Sequence, residues 1–434
     1  MRRSLSALGI FALFTSSLLA SDGSPVQWPI PEHIPEIVIP SILVSTHWLA
    51  EALKDEEVVL LDLRGSSVAE AGRLPGALVL NLRDMAIPID LAPLRTRLGI
   101  LGLTGSETVV LYGQGNDFQE IGRAFWLFSA AGFDNIRILD GGIDAWKSEG
   151  RTVSATGPVS YPRTFTSASA SNSVVVTQDW LRDHFGRHGV ELLDLRGTRH
   201  PHPTDSGGRS SDGSIPGSLP YSFMPDFEDD GKWPNPTSVR EHLGKLGPRP
   251  GDFVDLASTF VLYGHDSADP QLGIAYLLLR IAGIEARVFA AGFESWQKGE
   301  AVVRELDSAA VAALLIAENP RLGRDLRPKG LIVLDLREAR DYSIMGHLPG
   351  AYNLPYRPAG MGELFEAIVG YYWHDLPRTS APIILYCYGV NCVRSRKSAI
   401  VIARRGFKNI LVYHRSPFEW EADGYPLFES PLED

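Results

Sequence analysis

The chain is poor in cysteine, in excess positive charge and in long apolar runs. Cys387 and Cys392 are the only cysteines among its 434 residues, so the fold cannot be stabilised by a framework of several disulfides. The formal net charge is -11, which argues against a general nucleic-acid-binding surface. No run beyond the N-terminus reaches about 18 apolar residues, so the mature chain is not expected to span a membrane.

Sequence signatures of several common enzyme classes are also missing. The chain has no Gly-x-x-x-x-Gly-Lys phosphate-binding loop and no recognisable Ser/His/Asp nucleophile signature. His200 and His202 lie close together, but two histidines are weak evidence for a metal site. We therefore predict no metal and no other cofactor. Residues 113–115, Gly-Gln-Gly, favour a simple turn over an anion-binding cradle.

The N-terminus has the pattern of a secretory signal. Arg2 and Arg3 precede an apolar stretch at residues 8–14, and small residues at 16–20 offer a cleavage site after Ala20. We expect residues 1–20 to be a signal peptide and the mature protein to be exported, to the periplasm or beyond. The alternative is an uncleaved membrane anchor.

One pattern of strands and turns occurs three times along the chain. Each copy has an apolar run ending in Leu-Asp-Leu-Arg, then a Gly-x-(Leu/Ile)-Pro-Gly turn, then a second apolar run that reaches a tyrosine. The three runs ending in arginine are residues 60–64, 192–196 and 333–337, and the three tyrosines are Tyr112, Tyr263 and Tyr386. Each tyrosine precedes a tryptophan at nearly constant spacing, namely Trp146, Trp296 and Trp420. Such regular spacing favours one shared local fold.

Short runs rich in β-branched residues alternate with helical patterns in each copy. Residues 58–61, 109–112 and 136–139 are typical of buried parallel strands. Helical periodicity covers residues 121–131, 272–282 and 397–405, and each of these is followed by a glycine where a C-terminal cap is expected, namely Gly132, Gly283 and Gly406. The predicted class is α/β, with three tandem domains that each have a mainly parallel central sheet and helices on both faces.

Changes in composition give the domain boundaries. Residues 21–41 are proline-rich and predict an extended leader, and residues 155–174 are rich in Ser, Thr and Ala and predict a linker. The domains predicted between and after these segments are repeat 1 (residues 42–154), repeat 2 (175–305) and repeat 3 (306–434). Repeat 2 carries an insertion at 197–212 that predicts a long surface loop.

Taken together, the Asp-Leu-Arg strand end, the Pro-Gly turn, the strand-loop-helix element and the tryptophan segment resemble rhodanese domains over most of the mature chain. Rhodaneses carry sulfane sulfur as a persulfide on a cysteine that ends a central strand. The resemblance assigns that role to Cys387 and places Gly113 and Gly264 at the same position in repeats 1 and 2. It implies a catalytic repeat 3 beside two inactive repeats.

The segment after Cys387 has the residue types that this chemistry needs. A cysteine at the carboxyl end of a parallel strand lies at the crevice where such sheets bind ligands. Backbone amides of a loop and a helix N-terminus favour an anion and a thiolate. The candidate loop residues after Cys387 are Tyr388, Gly389, Val390, Asn391, Cys392, Val393, Arg394 and Ser395. Arg394, Arg396 and Lys397 are expected to add positive charge near the loop.

The expected reaction has two steps. The Cys387 thiolate attacks the outer sulfur of thiosulfate or a similar anion, which leaves a persulfide on Cys387 and releases sulfite. A thiol-type acceptor then takes the sulfur. The expected partners are therefore a small sulfur-containing anion and a thiol acceptor, together with a periplasmic protein partner for the inactive repeats.

The loop length departs from the family pattern. A usual rhodanese loop is C-x4-R and related phosphatases on this fold have C-x5-R, whereas Cys387 to Arg394 is C-x6-R. Repeat 3 is also similar to a rhodanese subgroup with a CXXCW motif that is associated with pyrroloquinoline-quinone-dependent catabolism. In this chain the cysteine spacing is C-x4-C and Val393 stands in place of the tryptophan. The similarity implies export and does not imply quinone binding.

The residues leave the role of the second cysteine open. Cys392 either resolves a persulfide or sulfenic acid on Cys387 through a disulfide, or packs as a small residue in the loop. The alternatives to a sulfurtransferase are a non-enzymatic binding, sulfur-relay or redox module with a Cys387–Cys392 disulfide, and a phosphatase or oxyanion reductase that uses the longer loop. Fold alone does not separate these functions.

Features common to all three copies favour structural roles. The Asp-x-Arg strand end occurs in every repeat, so hydrogen bonding at the strand end is expected; Asp335 and Arg337 are also candidates to line the pocket of repeat 3. His347 stands where the other copies have Arg73 and Ser214, which favours a turn-stabilising role. The three recurrent tryptophans are expected to pack the fold.

Overall fold

The computed structural model describes residues 42–54, 58–65, 72–82, 91–115, 117–166, 174–196, 213–223, 233–246, 254–318, 330–357, 360–372, 377–389 and 392–429. The chain divides into the units Met1–Pro40 and Ser41–Asp434, and the described residues all belong to the second unit. The expected signal peptide and leader, and the insertion with His200 and His202, lie outside the described residues.

Short strands and helices alternate along the described ranges. The strands are β1 (Leu43–Val44), β2 (Val58–Asp62), β3 (Leu78–Val79), β4 (Thr108–Tyr112), β5 (Ile136–Leu139), β6 (Val190–Asp194), β7 (Leu219–Pro220), β8 (Thr259–Tyr263), β9 (Ala286–Val288), β10 (Val302–Leu306), β11 (Ile332–Asp335), β12 (Tyr352–Asn353), β13 (Pro382–Tyr386) and β14 (Asn409–Tyr413). The helices are α1 (Thr46–Ala52), α2 (Ala92–Ile100), α3 (Phe118–Ala131), α4 (Gly142–Ser148), α5 (Gln178–His184), α6 (Pro236–Gly244), α7 (Gln271–Ile281), α8 (Gly292–Trp296), α9 (Ser308–Glu318), α10 (Ala339–Ile344), α11 (Met361–Tyr372), α12 (Val393–Ala403) and α13 (Pro417–Ala422).

Each repeat forms its own parallel sheet. In the described part of the chain the strand orders are β1-β5-β4-β2-β3 in repeat 1, β7-β6-β8-β9 in repeat 2 and β10-β14-β13-β11-β12 in repeat 3. The central strands pair in parallel in every sheet, for example β2 with β4 and β11 with β13. Because helices connect successive parallel strands, the α/β prediction with three tandem units is confirmed.

The predicted element positions agree closely with the structure. The three strands predicted in repeat 1 correspond to β2, β4 and β5, and the three predicted helices correspond to α3, α7 and α12. The predicted capping glycines all adopt positive φ, namely Gly132 at 107°, Gly283 at 69° and Gly406 at 89°. Glycine reaches this conformation without the penalty that a Cβ imposes, so these residues can end the helices.

Strand β10 crosses the predicted boundary between repeats 2 and 3. Its residues pair with β14 over their whole length, from Val302 beside Asn409 to Leu306 beside Tyr413. The strand is therefore an edge of the third sheet and occupies the place that β1 has in the first. Its Val303 also pairs with Ser214 in the Pro-Gly turn of repeat 2, so the same strand ties the two repeats together.

The described part of the predicted linker is hydrogen-bonded to repeat 1. Within residues 155–166, the described part of that segment, the Arg163 amide donates to the Gly99 carbonyl at 2.8 Å and the Thr166 amide donates to the Thr104 carbonyl at 3.0 Å. This stretch lies against the end of α2 and the loop that follows it. Backbone hydrogen bonds hold it there without regular secondary structure.

Helices that follow the strand-end loops bring the repeats together. Helices α3 and α7 cross so closely that a Cβ on Gly122 would lie 2.8 Å from the Ile274 amide nitrogen. A Cβ on Gly273 would lie 2.6 Å from the Arg123 amide nitrogen. The absence of side chains at both glycines thus permits the contact between repeats 1 and 2. In the described ranges no helix is long and apolar enough to cross a membrane.

Candidate active site

The candidate active site begins where β13 ends. Cys387 follows Tyr386, and the Tyr386 carbonyl accepts a hydrogen bond of 3.0 Å from the Leu336 amide just beyond β11. This bond holds the carboxyl ends of the two central strands side by side. Repeats 1 and 2 make the same bond to Tyr112 and Tyr263, and the residues that follow these tyrosines are glycines. A cysteine therefore stands at this strand end in repeat 3 and in neither of the other repeats.

A buried ion pair supports the strand end. The Arg337 guanidinium donates to the Asp335 carboxylate at 2.6 Å and to the Gly346 carbonyl of the Pro-Gly turn at 2.6 Å. The Tyr386 hydroxyl bonds to the same carboxylate and accepts from the Leu348 amide at 3.1 Å. The cluster therefore joins the Pro-Gly turn to the two central strands. Polar networks whose hydrogen bonds are all made keep the backbone at such a point in one position.

This ion pair corrects one expectation. Asp335 and Arg337 are 0% and 1% exposed and are held by each other, so they do not line an open pocket. Burial alone lowers the pKa of Arg337, but the hydrogen bonds and the charge of Asp335 outweigh it and raise that pKa. The same pair recurs as Asp62 with Arg64 in repeat 1, and as Asp194 with Arg196 in repeat 2, which supports a structural role.

The two cysteines are joined in a disulfide. The Sγ atoms of Cys387 and Cys392 are bonded and the Cα atoms lie 6.3 Å apart, within the range usual for disulfides. Cys387 is 1% exposed and Cys392 is 6% exposed. Neither sulfur is a thiolate in this form, so Cys387 becomes nucleophilic only after the bond is reduced.

A backbone hydrogen bond links Cys392 to the described residues that follow Cys387. The Cys392 amide donates to the Gly389 carbonyl at 3.0 Å, and Gly389 has a φ of 136°, which favours glycine. Cys392 is the N-cap residue of α12, so the positive end of the helix dipole lies beside the sulfur pair. The predicted loop residues Val390 and Asn391 lie outside the described residues.

The charges around the loop differ from the expectation. Arg394 is bound by its own surroundings, since its guanidinium lies 3.1 Å from the Glu338 carboxylate and 3.3 Å from the Leu336 carbonyl. It also stacks over the ring of Tyr388, 5.3 Å from the centroid. The Tyr388 hydroxyl donates to Asp341, and burial together with this bond raises the pKa of Tyr388. Two carboxylates therefore lie at the loop: Glu338 pairs with Arg394, and Asp341 accepts from the tyrosine on which Arg394 stacks.

Arg396 does not add charge to the loop, which corrects a second expectation. Its guanidinium crosses to repeat 2, where it donates to the Gly217 carbonyl at 2.7 Å and to the Glu191 carboxylate at 3.0 Å. Residues two positions apart on a helix do not share a face, so Arg394 and Arg396 point in different directions. Of the other predicted residues on α12, Lys397 is exposed, Ser395 is buried and Val393 is half-buried.

The equivalent loops of repeats 1 and 2 are filled by aspartates that the sequence reasoning missed. In repeat 2, Asp269 accepts from the His265 amide at 3.2 Å and from the Gln271 amide at 3.0 Å. A Cβ on Gly264 would lie 2.3 Å from its Oδ2 atom. In repeat 1, Asp117 accepts from the Glu120 amide. An internal carboxylate thus uses the backbone donors that an anionic substrate would need.

Other residues singled out from the sequence have structural positions. His347 is buried, stacks on Tyr342 with ring centroids 4.1 Å apart, and pairs through its backbone with Phe428. Trp420 is buried and its indole donates to the Pro426 carbonyl at 2.9 Å. Trp146 and Trp296 make the same kind of bond. Gly113 and Gly115 form a backbone bridge, as expected for a turn.

Two sequence signals could have revealed the missed residues. The tyrosine before each strand end recurs in all copies, and a buried hydroxyl at this position needs a partner such as the recurrent aspartate. Asp117 and Asp269 each stand just before a helical pattern, where an N-cap is expected.

Among the described residues there is no group of three or more His, Cys, Asp or Glu that could hold a metal ion.

The architecture and the recurrent strand ends define a tandem α/β protein with one cysteine-bearing repeat. A profile of the Rhodanese-like domain matches residues 45–149, 177–299 and 320–423. The chain therefore belongs to the rhodanese family.

Several known proteins are similar over part of the chain. The sulfur carrier protein TtuD of Thermus thermophilus is 35% identical over 133 residues, which cover 28% of this chain and 45% of that protein. A protein of Mycolicibacterium smegmatis named as a thiosulfate sulfurtransferase is 30% identical over 163 residues, or 36% of this chain and 57% of the relative. The chain thus spans about half the length of these relatives.

A solved structure is also similar in part. The 3-mercaptopyruvate sulfotransferase SseA of Escherichia coli is 19% identical, with a TM-score of 0.45 over 58% of this chain and 99% of that one.

Proposed function

We propose that this protein is an exported sulfurtransferase that carries sulfane sulfur as a persulfide on Cys387. The donor is thiosulfate or a similar anion and the acceptor is a thiol. The observation that carries the proposal is the position of Cys387: the two equivalent strand ends have glycine, and their loops are filled by Asp117 and Asp269. Repeat 3 is therefore the part of the chain where sulfur chemistry is concentrated.

The reaction begins from the reduced protein. Reduction of the disulfide supplies a Cys387 thiolate beside the N-terminus of α12, whose amides favour the anion. The thiolate forms a bond to the outer sulfur of thiosulfate while the sulfur–sulfur bond of thiosulfate breaks, and sulfite leaves with the electron pair. The persulfide then gives its outer sulfur to a thiol.

Intact mass measurement tests this proposal. The reduced full chain, incubated with thiosulfate, is expected to gain the mass of one sulfur atom and to release sulfite. Cys387→Ser should do neither. Gly113→Ala serves as a matched control because it changes the equivalent strand end in repeat 1 and leaves Cys387 in place. If sulfite release survives in Cys387→Ser, the proposed role of Cys387 is wrong.

The disulfide favours a second candidate function. A Cys387–Cys392 pair that stays oxidised would make repeat 3 a binding module, and one that cycles without taking up sulfur would make it a redox module. The burial of both cysteines supports a pair that stays oxidised. A titration of thiols against reductants of increasing strength separates the two functions. A sulfurtransferase requires a pair that is reduced by ordinary dithiols, whereas a structural disulfide resists them.

Export is supported by the N-terminal pattern and is compatible with an oxidised cysteine pair. Fractionation of cells that express the full chain tests it, with N-terminal sequencing of the purified protein. We expect the mature protein in the exported fraction, starting at Ser21. Replacement of Leu8 and Leu13 by charged residues should retain the protein in the cytoplasm.

A further inference from the structure

The second cysteine is placed to act directly on the first. The Cys392 amide donates to the carbonyl of Gly389, which lies two residues beyond Cys387. Their Sγ atoms are bonded in the structure. Sγ of Cys392 therefore reaches Sγ of Cys387 while β13 and α12 stay where they are. A persulfide adds its extra sulfur beyond Sγ of Cys387 and leaves that atom in the same covalent position.

We propose that Cys392 is an internal acceptor that discharges the Cys387 persulfide as hydrosulfide and so forms the disulfide in the structure. The inference rests on the proposed function, because it requires that Cys387 first take a sulfur from a donor. It adds a second catalytic residue and a different pair of products. The protein then cleaves thiosulfate to sulfite and sulfide, and a dithiol reductant restores both cysteines.

The electrons and atoms of this step balance. The Cys392 thiolate attacks the inner sulfur of the persulfide, which is Sγ of Cys387. A bond forms between the two Sγ atoms, the bond to the outer sulfur breaks, and the outer sulfur leaves with the electron pair as hydrosulfide. The two cysteines are oxidised by two electrons and the sulfane sulfur is reduced by two. An external dithiol then reduces the disulfide and becomes a disulfide itself.

Access favours the internal acceptor over a free thiol. Cys387 is almost fully buried within an apolar cluster that includes Leu385 and Ile402. Thiosulfate and an external thiol must both approach this site from solvent, whereas Cys392 already belongs to the same cluster and needs no such encounter. Groups held in reacting geometry avoid the entropy cost of an encounter. Attack by Cys392 on the persulfide is therefore expected to be faster than transfer of the sulfur to a free thiol.

The position of Cys392 suits it for attack. It is the N-cap of α12, an 11-residue helix, and its side chain makes no capping hydrogen bond to the first turn in the disulfide form. The N-terminal amides and the helix dipole favour a thiolate there. Cys392 is also the more exposed of the two residues, at 6% against 1%, so the reductant is expected to attack Cys392 and to expel the Cys387 thiolate, ready for the next donor.

A single-turnover experiment on the full chain tests the inference. The protein is reduced with dithiothreitol, desalted without oxygen, and mixed with excess thiosulfate in the absence of reductant. Sulfite, sulfide, alkylatable thiols and intact mass are then measured. Sulfate in place of thiosulfate is the control for adventitious oxidation. Cys392→Ser and Cys387→Ser are treated identically.

The expected result is one sulfite and one sulfide per chain, loss of both thiols, and a final mass two hydrogens below that of the reduced protein. Cys392→Ser should stop at the persulfide, with sulfite but no sulfide. The mass of that adduct also shows that the variant folds and reacts. Multiple turnovers of the unchanged protein should then require dithiothreitol.

Each contrary result has a distinct meaning. A stable persulfide on the unchanged protein, with Cys392 still alkylatable and no sulfide, overturns the internal-acceptor role and leaves the proposed sulfurtransferase intact. An absence of sulfite from the unchanged protein overturns the proposed function itself. Loss of both thiols in the sulfate control would show that the disulfide forms by simple oxidation and would also count against the inference.

Discussion

The Arg396 guanidinium donates to the Glu191 carboxylate at 3.0 Å across the boundary between repeats 2 and 3. Arg396 belongs to α12, the helix whose N-cap is Cys392, and Glu191 lies on β6. Further along α12, Ile400 packs against Gly186 and Gly217, where any added Cβ would lie within 2.6 Å of the Ile400 side chain. Repeat 2, which has no cysteine, therefore holds the helix that positions the cysteine loop.

Removal of the Arg396 side chain should loosen this contact. Arg396→Ala leaves the Gly217 carbonyl and the Glu191 carboxylate without their donor, so we expect a loss of about 1–2 kcal/mol in the free energy of unfolding. A double-mutant cycle with Glu191→Ala should give a coupling of about 0.5–1 kcal/mol. The measurement is urea denaturation followed by circular dichroism. Lys54→Ala, which removes an exposed pair with Glu51, is the control and should change stability far less.

Zero coupling between Arg396 and Glu191 would mean that the ion pair contributes nothing to the joint between the repeats. The apolar contact of Ile400 would then be its main support.

A cysteine placed in repeat 2 should not create a second active site. In Gly264→Cys the new Cβ would lie 2.3 Å from Oδ2 of Asp269, and the Asp269 carboxylate already takes the backbone donors of the loop. We expect a loss of about 1–3 kcal/mol from overpacking and no thiosulfate-dependent persulfide in a Cys387→Ser background. Intact mass and thermal unfolding measure both effects.

Gly370→Ala is the matched control for that substitution. Gly370 lies within α11, and a Cβ there would meet nothing within 4 Å. This variant should be neutral or more stable by up to about 1 kcal/mol. A persulfide on position 264 would show that the aspartate does not block the loop.

Stability should fall steeply in alkaline solution. Burial, followed by the charge of the neighbouring aspartate, raises the pKa of Tyr263 and Tyr386 well above the ordinary value. The unfolded chain ionises these tyrosines at pH about 10, whereas the folded chain keeps them protonated. The stabilisation is therefore complete below that pH and is lost as the pH rises further, by about 1.4 kcal/mol per pH unit for each tyrosine.

The variant Tyr263→Phe isolates this effect. It should be less stable at neutral pH, because the Asp194 carboxylate loses a donor at 2.7 Å, but its stability should decline less steeply above pH about 10. Tyr161→Phe, which removes an exposed tyrosine, is the control substitution. Urea midpoints measured in pH steps give the slopes. An equal slope for Tyr263→Phe and the unchanged protein would contradict the explanation.

The sequence predicts the fold well because the repeated signals are local. The β-branched runs, the Pro-Gly turns and the glycines after helices each depend on a few adjacent residues, and β2, β4 and β5 appear where these signals place them. The strand-end position of Cys387 follows from the same alignment of repeats. Local chemistry also predicts the structural role of the paired Asp and Arg residues.

The charges that surround the cysteine loop could not be predicted from local sequence. Arg394, Arg396 and Lys397 are close in sequence, but their effect depends on partners far along the chain, such as Glu191, which lies 205 residues from Arg396. Glu338, the partner of Arg394, comes just before α10 and carries no signal of its own in the sequence. Helical periodicity does separate Arg394 from Arg396, and it provides the one local clue that was available.

The ion pair between Arg394 and Glu338 should limit the reaction with anionic donors. Glu338 holds the guanidinium at 3.1 Å and places a negative charge beside the loop. Glu338→Gln removes that charge and leaves the positive charge of Arg394 without its counter-ion, so kcat/KM for thiosulfate should rise about 2- to 5-fold through electrostatic attraction. The gain should shrink as salt is added, because ions screen exposed charges. Glu285→Gln, which removes an equal charge in repeat 2, is the control. If Glu338→Gln instead lowers kcat/KM at every salt concentration, the prediction is wrong. Glu338 would then hold Arg394 in the position that binds the donor anion.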